Sequence, residues 1–111
     1  MIVAGFGFSS RATVDSLRTA LAATGHHPDA VATLADKAGL LAALGLPVVA
    51  VTGPLPQTPT QPPASLAARG TGSVAEACAL VGAGPGAYLL TTRRVSPDGL
   101  ATCAIAKGTG T

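Results

Sequence analysis

Aromatic and charged residues are scarce in this sequence. Its 111 residues include no tryptophan, one tyrosine and two phenylalanines, and charged residues make up only 11% of the chain. Hydrophobic residues make up 48%, and glycine occupies 14 positions, so the core must be closed by tight packing of small side chains. A chain of this length buries one modest core. We therefore expect a single domain over residues 1–111.

The chain also lacks a large excess of charge and a long apolar segment. Seven basic against five acidic residues give a net charge of +2, which is too small to indicate a nucleic-acid partner. No apolar run reaches the roughly 18 residues that a membrane-spanning helix needs. The first residues carry none of the basic charge of a secretory signal. We expect a cytoplasmic protein with no nucleic-acid or membrane partner.

Recognisable catalytic and metal-binding clusters are missing as well. Cys78 and Cys103 lie in apolar patterns, which predicts buried free thiols in a reducing compartment. His26 and His27 have no cysteine or carboxylate at ligand spacing, so we predict no metal site. No Ser-His-Asp set, Cys-His pair or pair of carboxylates occurs at catalytic spacing. We therefore assign no catalytic residue from the pattern, and we predict no cofactor.

What is present is an alternation of short apolar strands and helices. The last two strands flank Ser96-Pro97-Asp98-Gly99, a turn with the residues that a hairpin needs. The pattern predicts an α/β fold, a single three-layer α/β/α domain whose small mixed sheet combines parallel βαβ units with a C-terminal antiparallel hairpin. The predicted strands are 1–8, 30–34, 48–51, 87–95 and 100–107. The first predicted helix is capped by Ser9 or Ser10 and ends at Gly25. The other predicted helices are 38–44 and 74–81, and a break follows the last one at 82–86.

A proline-rich segment separates the third strand from the last helix. Residues 52–63 contain five prolines, which deny the segment both helical and ladder hydrogen bonds. We expect an extended surface loop here. The pattern leaves open whether this loop is a lid over a site or a simple connector.

The last helix begins with a Ser-x-x-Glu pattern. In a capping box, the Ser73 hydroxyl accepts from the Glu76 amide and the Glu76 carboxylate accepts from the Ser73 amide. Gly70 and Gly72 precede it and allow the backbone to come close to a neighbour. Such a start presents amide donors and the positive end of the helix dipole, which suits an anion. A well-capped core helix with no ligand is the alternative.

A second glycine pair stands at the end of the first strand. Gly5-x-Gly7 followed by Ser9 and Arg11 predicts a glycine turn whose amides can hold an anion. The third glycine of a dinucleotide fingerprint is absent, because Ser10 occupies its place. A phosphate- or nucleotide-binding module is therefore the weakest of the functions that this turn allows. A plain structural turn is the other alternative.

The segment Gly-Thr-Gly-Ser-Val-Ala-Glu-Ala-Cys-Ala-Leu at 70–80 resembles the signature helix of the cobalamin-biosynthesis family that contains CobE and the C-terminal domain of CbiG. The likeness runs from Gly5-x-Gly7 through Asp36-Lys37 to the last strand at 102–106. Many relatives have a longer acidic insert after the lysine, whereas Gly39 follows here almost at once. The shorter loop departs from the family pattern at this point.

The resemblance implies a function in vitamin B12 biosynthesis. It implies a protein that binds a corrinoid or precorrin intermediate, a macrocycle fringed with carboxylates, and acts as a carrier between pathway enzymes. The alternative is a hydrolase that opens the precorrin-5A lactone and releases acetaldehyde, as the CbiG proteins do. The partners would be the corrinoid intermediate and other enzymes of the pathway. The predicted ligand-binding residues are Gly5, Gly7, Ser9, Arg11, Lys37, Gly72, Ser73 and Glu76.

Overall fold

Short strands and helices alternate along the chain, as the apolar pattern predicts. A computed structural model describes residues 1–52, 58 and 73–108. Within them, a single turn of 3-10 helix flanks the second α-helix on each side. The elements are β1 (Ile2–Phe8), α1 (Val14–Thr24), β2 (Ala30–Leu34), α2 (Ala38–Leu41), β3 (Val48–Val51), α3 (Val74–Ala83), β4 (Tyr88–Val95) and β5 (Ala101–Lys107).

The five described strands form one mixed sheet in the order β3-β2-β1-β5-β4. β1, β2 and β3 run parallel, with Val3 opposite Ala30 and Val31 opposite Val48. β5 pairs antiparallel with both β1 and β4. The parallel βαβ units and the C-terminal antiparallel hairpin are therefore confirmed, and β1 is the central strand.

Helices cover both faces of the sheet. α1 and α2 lie on one face, where buried apolar residues of the helices and of the sheet form one cluster, among them Phe6, Leu17 and Leu41. α3 lies on the other face, where Cys78 packs against Val3 and Ala32. The three-layer α/β/α prediction is therefore confirmed. Both cysteines are buried and neither forms a disulfide, as predicted, and burial raises the pKa of the Cys103 thiol.

The predicted start of α1 is wrong by a few residues. Neither Ser9 nor Ser10 caps it, because Thr13 takes this role and its hydroxyl accepts from the Ser16 amide at 3.3 Å. The Ser16 hydroxyl in turn accepts from the Thr13 amide at 3.1 Å, which completes a capping box. The predicted end is confirmed, because Gly25 adopts a left-handed conformation with a φ of 73°.

The predicted break after α3 also begins later than expected. Gly82 is still helical, and the helix ends at Gly84. A Cβ at Gly82 would come within 3.0 Å of the Val3 and Ala32 side chains, so the glycine sits where α3 approaches the sheet. The proline-rich loop lies largely outside the described residues. None of the described helices is long and apolar enough to cross a membrane.

Gly5 and Gly7 do not form the predicted turn. Both lie inside β1, which continues to Phe8. A Cβ at Gly5 would stand 2.1 Å from the Ala75 carbonyl oxygen and 2.3 Å from the Ala79 nitrogen. At Gly7 it would stand 3.3 Å from the Val74 Cβ. The two glycines therefore allow the α3 backbone to lie directly on β1.

This close approach predicts a severe effect of one methyl group. We expect Gly5→Ala to destabilise the fold by about 3 kcal/mol or more, because the new Cβ meets rigid backbone rather than a side chain that can move. Gly39→Ala in α2 is the matched control. Among the described residues, no atom outside the helix backbone and the two chain neighbours lies within 4 Å of that Cβ position, so we expect stability to rise by up to about 1 kcal/mol. Urea unfolding of both variants checks this, and equal midpoints would contradict it.

Candidate functional site

An open cleft lies at the carboxyl ends of β1 and β2, on the face covered by α1 and α2. Its volume is about 470 Å³. Ligands of open α/β sheets commonly bind at this edge, because the loops that leave the strands meet there. The lining residues combine three apolar side chains, two hydroxyls and one charge of each sign. They are Phe8, Ser9, Ser10, Ala12, Asp36, Lys37, Gly39 and Leu40.

Lys37 is fixed at this cleft by the end of β1. Its ammonium group donates to the Phe8 carbonyl oxygen and lies 5.2 Å from the centre of the Phe8 ring, within the range of a cation–π interaction. The side chain is half-buried. Since an ammonium group carries three donors, one bond to the backbone leaves two for a ligand.

Residues 9–12 form the wall of the cleft opposite α2. The Ser9 amide donates to the Leu100 carbonyl at 3.0 Å, and the Ala12 amide donates to the Ser9 carbonyl at 3.1 Å. The Arg11 amide donates to the Ser9 hydroxyl at 3.3 Å. The Arg11 side chain is exposed and has no partner among the described residues. The wall therefore has a defined backbone, and it carries one exposed cation.

Asp98, in the turn between β4 and β5, accepts hydrogen bonds from α1 and from its own turn. One carboxylate oxygen accepts from the Ser16 hydroxyl at 2.6 Å. The other accepts from the Ser96 hydroxyl and, at 3.0 Å, from the Leu100 amide. These bonds, the one from Ser16 above all, lower the pKa of Asp98 below its ordinary value because they favour the ionised carboxylate.

The structure brings together only part of the predicted site. Ser9 and Lys37 line the cleft, and Arg11 lies between two of its lining residues. Gly5 and Gly7 lie beneath α3 on the opposite face of the sheet. Gly72 lies outside the described residues. The ligand-binding role of all these residues stays a prediction.

Ser73 and Glu76 lie at the start of α3 and do not line the cleft. Only half of the predicted capping box forms. The Ser73 hydroxyl accepts from the Glu76 amide at 3.2 Å, but the Ser73 amide donates to the Thr58 hydroxyl at 2.8 Å. The Glu76 side chain is fully buried, and its carboxylate accepts from the Arg93 amide at 2.9 Å. Glu76 therefore joins α3 to β4.

The sequence interpretation missed several residues of the cleft and its support. Phe8, Ser10 and Leu40 line it, although their pattern indicates only a strand end, a turn and a helix. The pattern Thr13-x-x-Ser16 does not indicate a capping box by itself, because serine replaces the usual Glu or Gln at the fourth position. The pattern around Asp98 indicates only a turn. Its contact with Ser16 spans 82 residues, and no local pattern signals it.

The fold and the cleft define a small α/β domain with a ligand-sized opening at the carboxyl edge of its parallel strands. The family described as Cobalamin synthesis G C-terminus matches residues 2–106, and the chain belongs to this family. None of the curated proteins matches the sequence.

The chain is similar over nearly its whole length to solved structures, two of which are proteins of cobalamin biosynthesis. One is CobE, a protein from the cobalamin (vitamin B12) biosynthetic pathway, with 29% identity, a TM-score of 0.79 and coverage of 96% of this chain and 89% of that one. The other is the cobalamin biosynthesis protein chiG from Agrobacterium tumefaciens str. C58, with 27% identity, a TM-score of 0.65 and coverage of 99% and 100%. The predicted family is confirmed, and the chain is a CobE/CbiG-like protein of cobalamin biosynthesis.

The hydrogen bonds of Asp98 predict a pH dependence of stability. Since the folded-state pKa is lowered, the carboxylate stabilises the fold fully above the ordinary carboxyl pKa of about 4, and this stabilisation is lost as the pH falls from there toward the folded-state pKa. We expect the difference in unfolding free energy between wild type and Asp98→Ala to be larger at pH 7 than at pH 3.

Urea unfolding at both pH values checks this difference. Ser16→Ala is a useful companion variant, because it removes the hydrogen bond that lowers the pKa of Asp98 most. In that background the same difference should depend less on pH. A difference that stays constant between pH 3 and pH 7 would show that the carboxylate gains nothing from these bonds.

Proposed function

We propose that the chain binds a corrinoid intermediate of cobalamin biosynthesis at the cleft between residues 9–12 and α2. One observation carries the proposal. The Lys37 ammonium is held at a cleft of about 470 Å³, beside an aromatic ring, with two of its three donors left for a ligand. Such a group binds a carboxylate through charge-assisted hydrogen bonds.

The chemistry of the lining suits one edge of a carboxylate-fringed macrocycle. Phe8 and Leu40 offer apolar surface to the ring, while Ser9 and Ser10 offer hydroxyls to its substituents. Arg11 adds a second cation on the same wall. The volume corresponds to part of a large macrocycle rather than to the whole of it, so the ligand would extend beyond the cleft. Such partial burial suits a protein that passes an intermediate to a pathway enzyme.

A hydrolase is the second candidate, and Asp36 favours it. This carboxylate lines the cleft beside Lys37, where it can act as a general base toward water while the lysine holds the substrate. The fully buried Glu76 is less suited to this role. Turnover would require Asp36, whereas a carrier would not. We place either activity in the cytoplasm, a setting that two buried cysteines without a disulfide fit.

Titration with hydrogenobyrinic acid, followed by visible absorbance and gel filtration, tests the binding proposal. We expect Lys37→Ala to weaken binding roughly tenfold, because it removes a charge-assisted hydrogen bond. Arg11→Ala should weaken it by about two- to fivefold, since this side chain is exposed. Lys107→Ala is the matched control. It removes an exposed lysine that pairs in register with Ile2, at the end of the strands opposite the cleft.

Two results would overturn the proposal in different ways. No binding at tens of micromolar, roughly the −6 kcal/mol level, would leave the cleft without this ligand. An equal loss in Lys37→Ala and Lys107→Ala would indicate a nonspecific effect of net charge. Incubation with a precorrin-5-stage substrate then separates the two candidates. Acetaldehyde release that Asp36→Asn abolishes supports the hydrolase, and binding without release supports the carrier.

A further inference from the structure

We propose that Asp98 is a positioning residue that fixes the cleft wall at residues 9–12 for the ligand. The proposal rests on the function proposed above, because it concerns the same cleft. Asp98 does not line the cleft. It would act through the backbone of the wall, and its effect on binding would therefore be indirect.

The first step of the argument is the orientation of Asp98 itself. Its two carboxylate oxygens accept hydrogen bonds from three groups on two elements, the Ser16 hydroxyl of α1 and the Ser96 hydroxyl and Leu100 amide of the β4–β5 turn. Ser96 is buried, and its hydroxyl also accepts from the Ala101 amide at 3.1 Å. The carboxylate is therefore held in one position relative to the sheet.

The second step is that two of these bonds, those from Ser16 and Leu100, each lead to one end of the wall. Ser16 accepts from the Thr13 amide at 3.1 Å, and Thr13 directly follows the last wall residue. Leu100, whose amide binds Asp98, accepts at its carbonyl from the Ser9 amide at 3.0 Å. One carboxylate thus connects to Ser9 through Leu100, and to Ala12 through Ser16 and Thr13.

The third step concerns the hydrogen bonds that fix the position of the wall relative to the sheet. Its inner hydrogen bonds are local, from Arg11 and Ala12 back to Ser9, and local bonds of this kind do not fix a loop relative to the sheet. The bonds through Ser16 and Leu100 do so. Because Asp98 is exposed, its replacement leaves no cavity in the core. Its loss should therefore loosen the wall while the sheet remains intact.

Amide hydrogen exchange of the unliganded protein tests the wall directly. In Asp98→Ala we expect the Ser9 and Thr13 amides to exchange about tenfold faster or more. The residues that accept their hydrogen bonds, Leu100 and Ser16, would each lose a hydrogen bond to the carboxylate. The Val31 amide, which donates to the Pro47 carbonyl at the other end of the sheet, should exchange as in wild type. Asp98→Asn keeps one carboxamide oxygen and should restore part of the protection.

Asp29→Ala is the matched control. Asp29 is also an exposed aspartate whose carboxylate accepts from a backbone amide, that of Ile2 at 2.8 Å, but it lies at the opposite edge of the sheet. We expect Asp98→Ala to bind hydrogenobyrinic acid about five- to tenfold more weakly than wild type. Asp98→Asn should fall between the two, and Asp29→Ala should bind as wild type does. All variants are compared well below their unfolding temperatures.

The outcomes separate this inference from the proposed function. Unchanged exchange at Ser9 and Thr13 in Asp98→Ala overturns the inference, whatever the ligand does. If the wild type binds the ligand and Asp98→Ala binds it equally well, the inference is overturned and the proposed function stands. If the wild type does not bind the ligand, the proposed function is overturned, and so is the claim that the wall is positioned for this ligand. The exchange data then still decide whether Asp98 holds the wall.

Discussion

The backbone of α3 lies directly on the central strand, and the rest of the molecule is arranged around that contact. Gly5 leaves no room for a Cβ beneath Ala75 and Ala79, and both alanines are fully buried. Small residues on both elements allow an approach that larger side chains would prevent. The scarcity of aromatic residues is a consequence of the same packing, because one whole face of the sheet is filled without rings.

This contact also limits where the carboxyl ends of the parallel strands can open. α3 covers its face as far as Gly7, where Val74 and Ala75 are the near neighbours. On the other face the neighbouring helices are shorter or begin later, since α2 has four residues and α1 starts only at Val14. The opening left between them is the cleft beside Lys37. The site and the packed face are therefore two results of one arrangement.

The sequence predicts the elements well because their signals are local. Apolar runs and turn residues define β2 and β3 at the observed bounds, and Gly25 ends α1 as expected. Predictions are less successful where a residue distant in sequence supplies the hydrogen-bond partner. The Ser73 amide donates to the Thr58 hydroxyl instead of to Glu76, and the Glu76 carboxylate accepts from the Arg93 amide. Local propensity favours the full capping box, but tertiary contacts provide other partners for both groups.

The most specific part of the family motif and the cleft belong to different parts of the fold. The described residues of the motif, from Ser73 to Leu80, build α3 and its contact with β1. The cleft is built from residues 8–12 and from Asp36 to Leu40. A match to the motif therefore reports chiefly on packing, and it can persist where the cleft changes. Variants around Lys37 and residues 9–12, rather than along the signature helix, are therefore the ones that test the proposed ligand site.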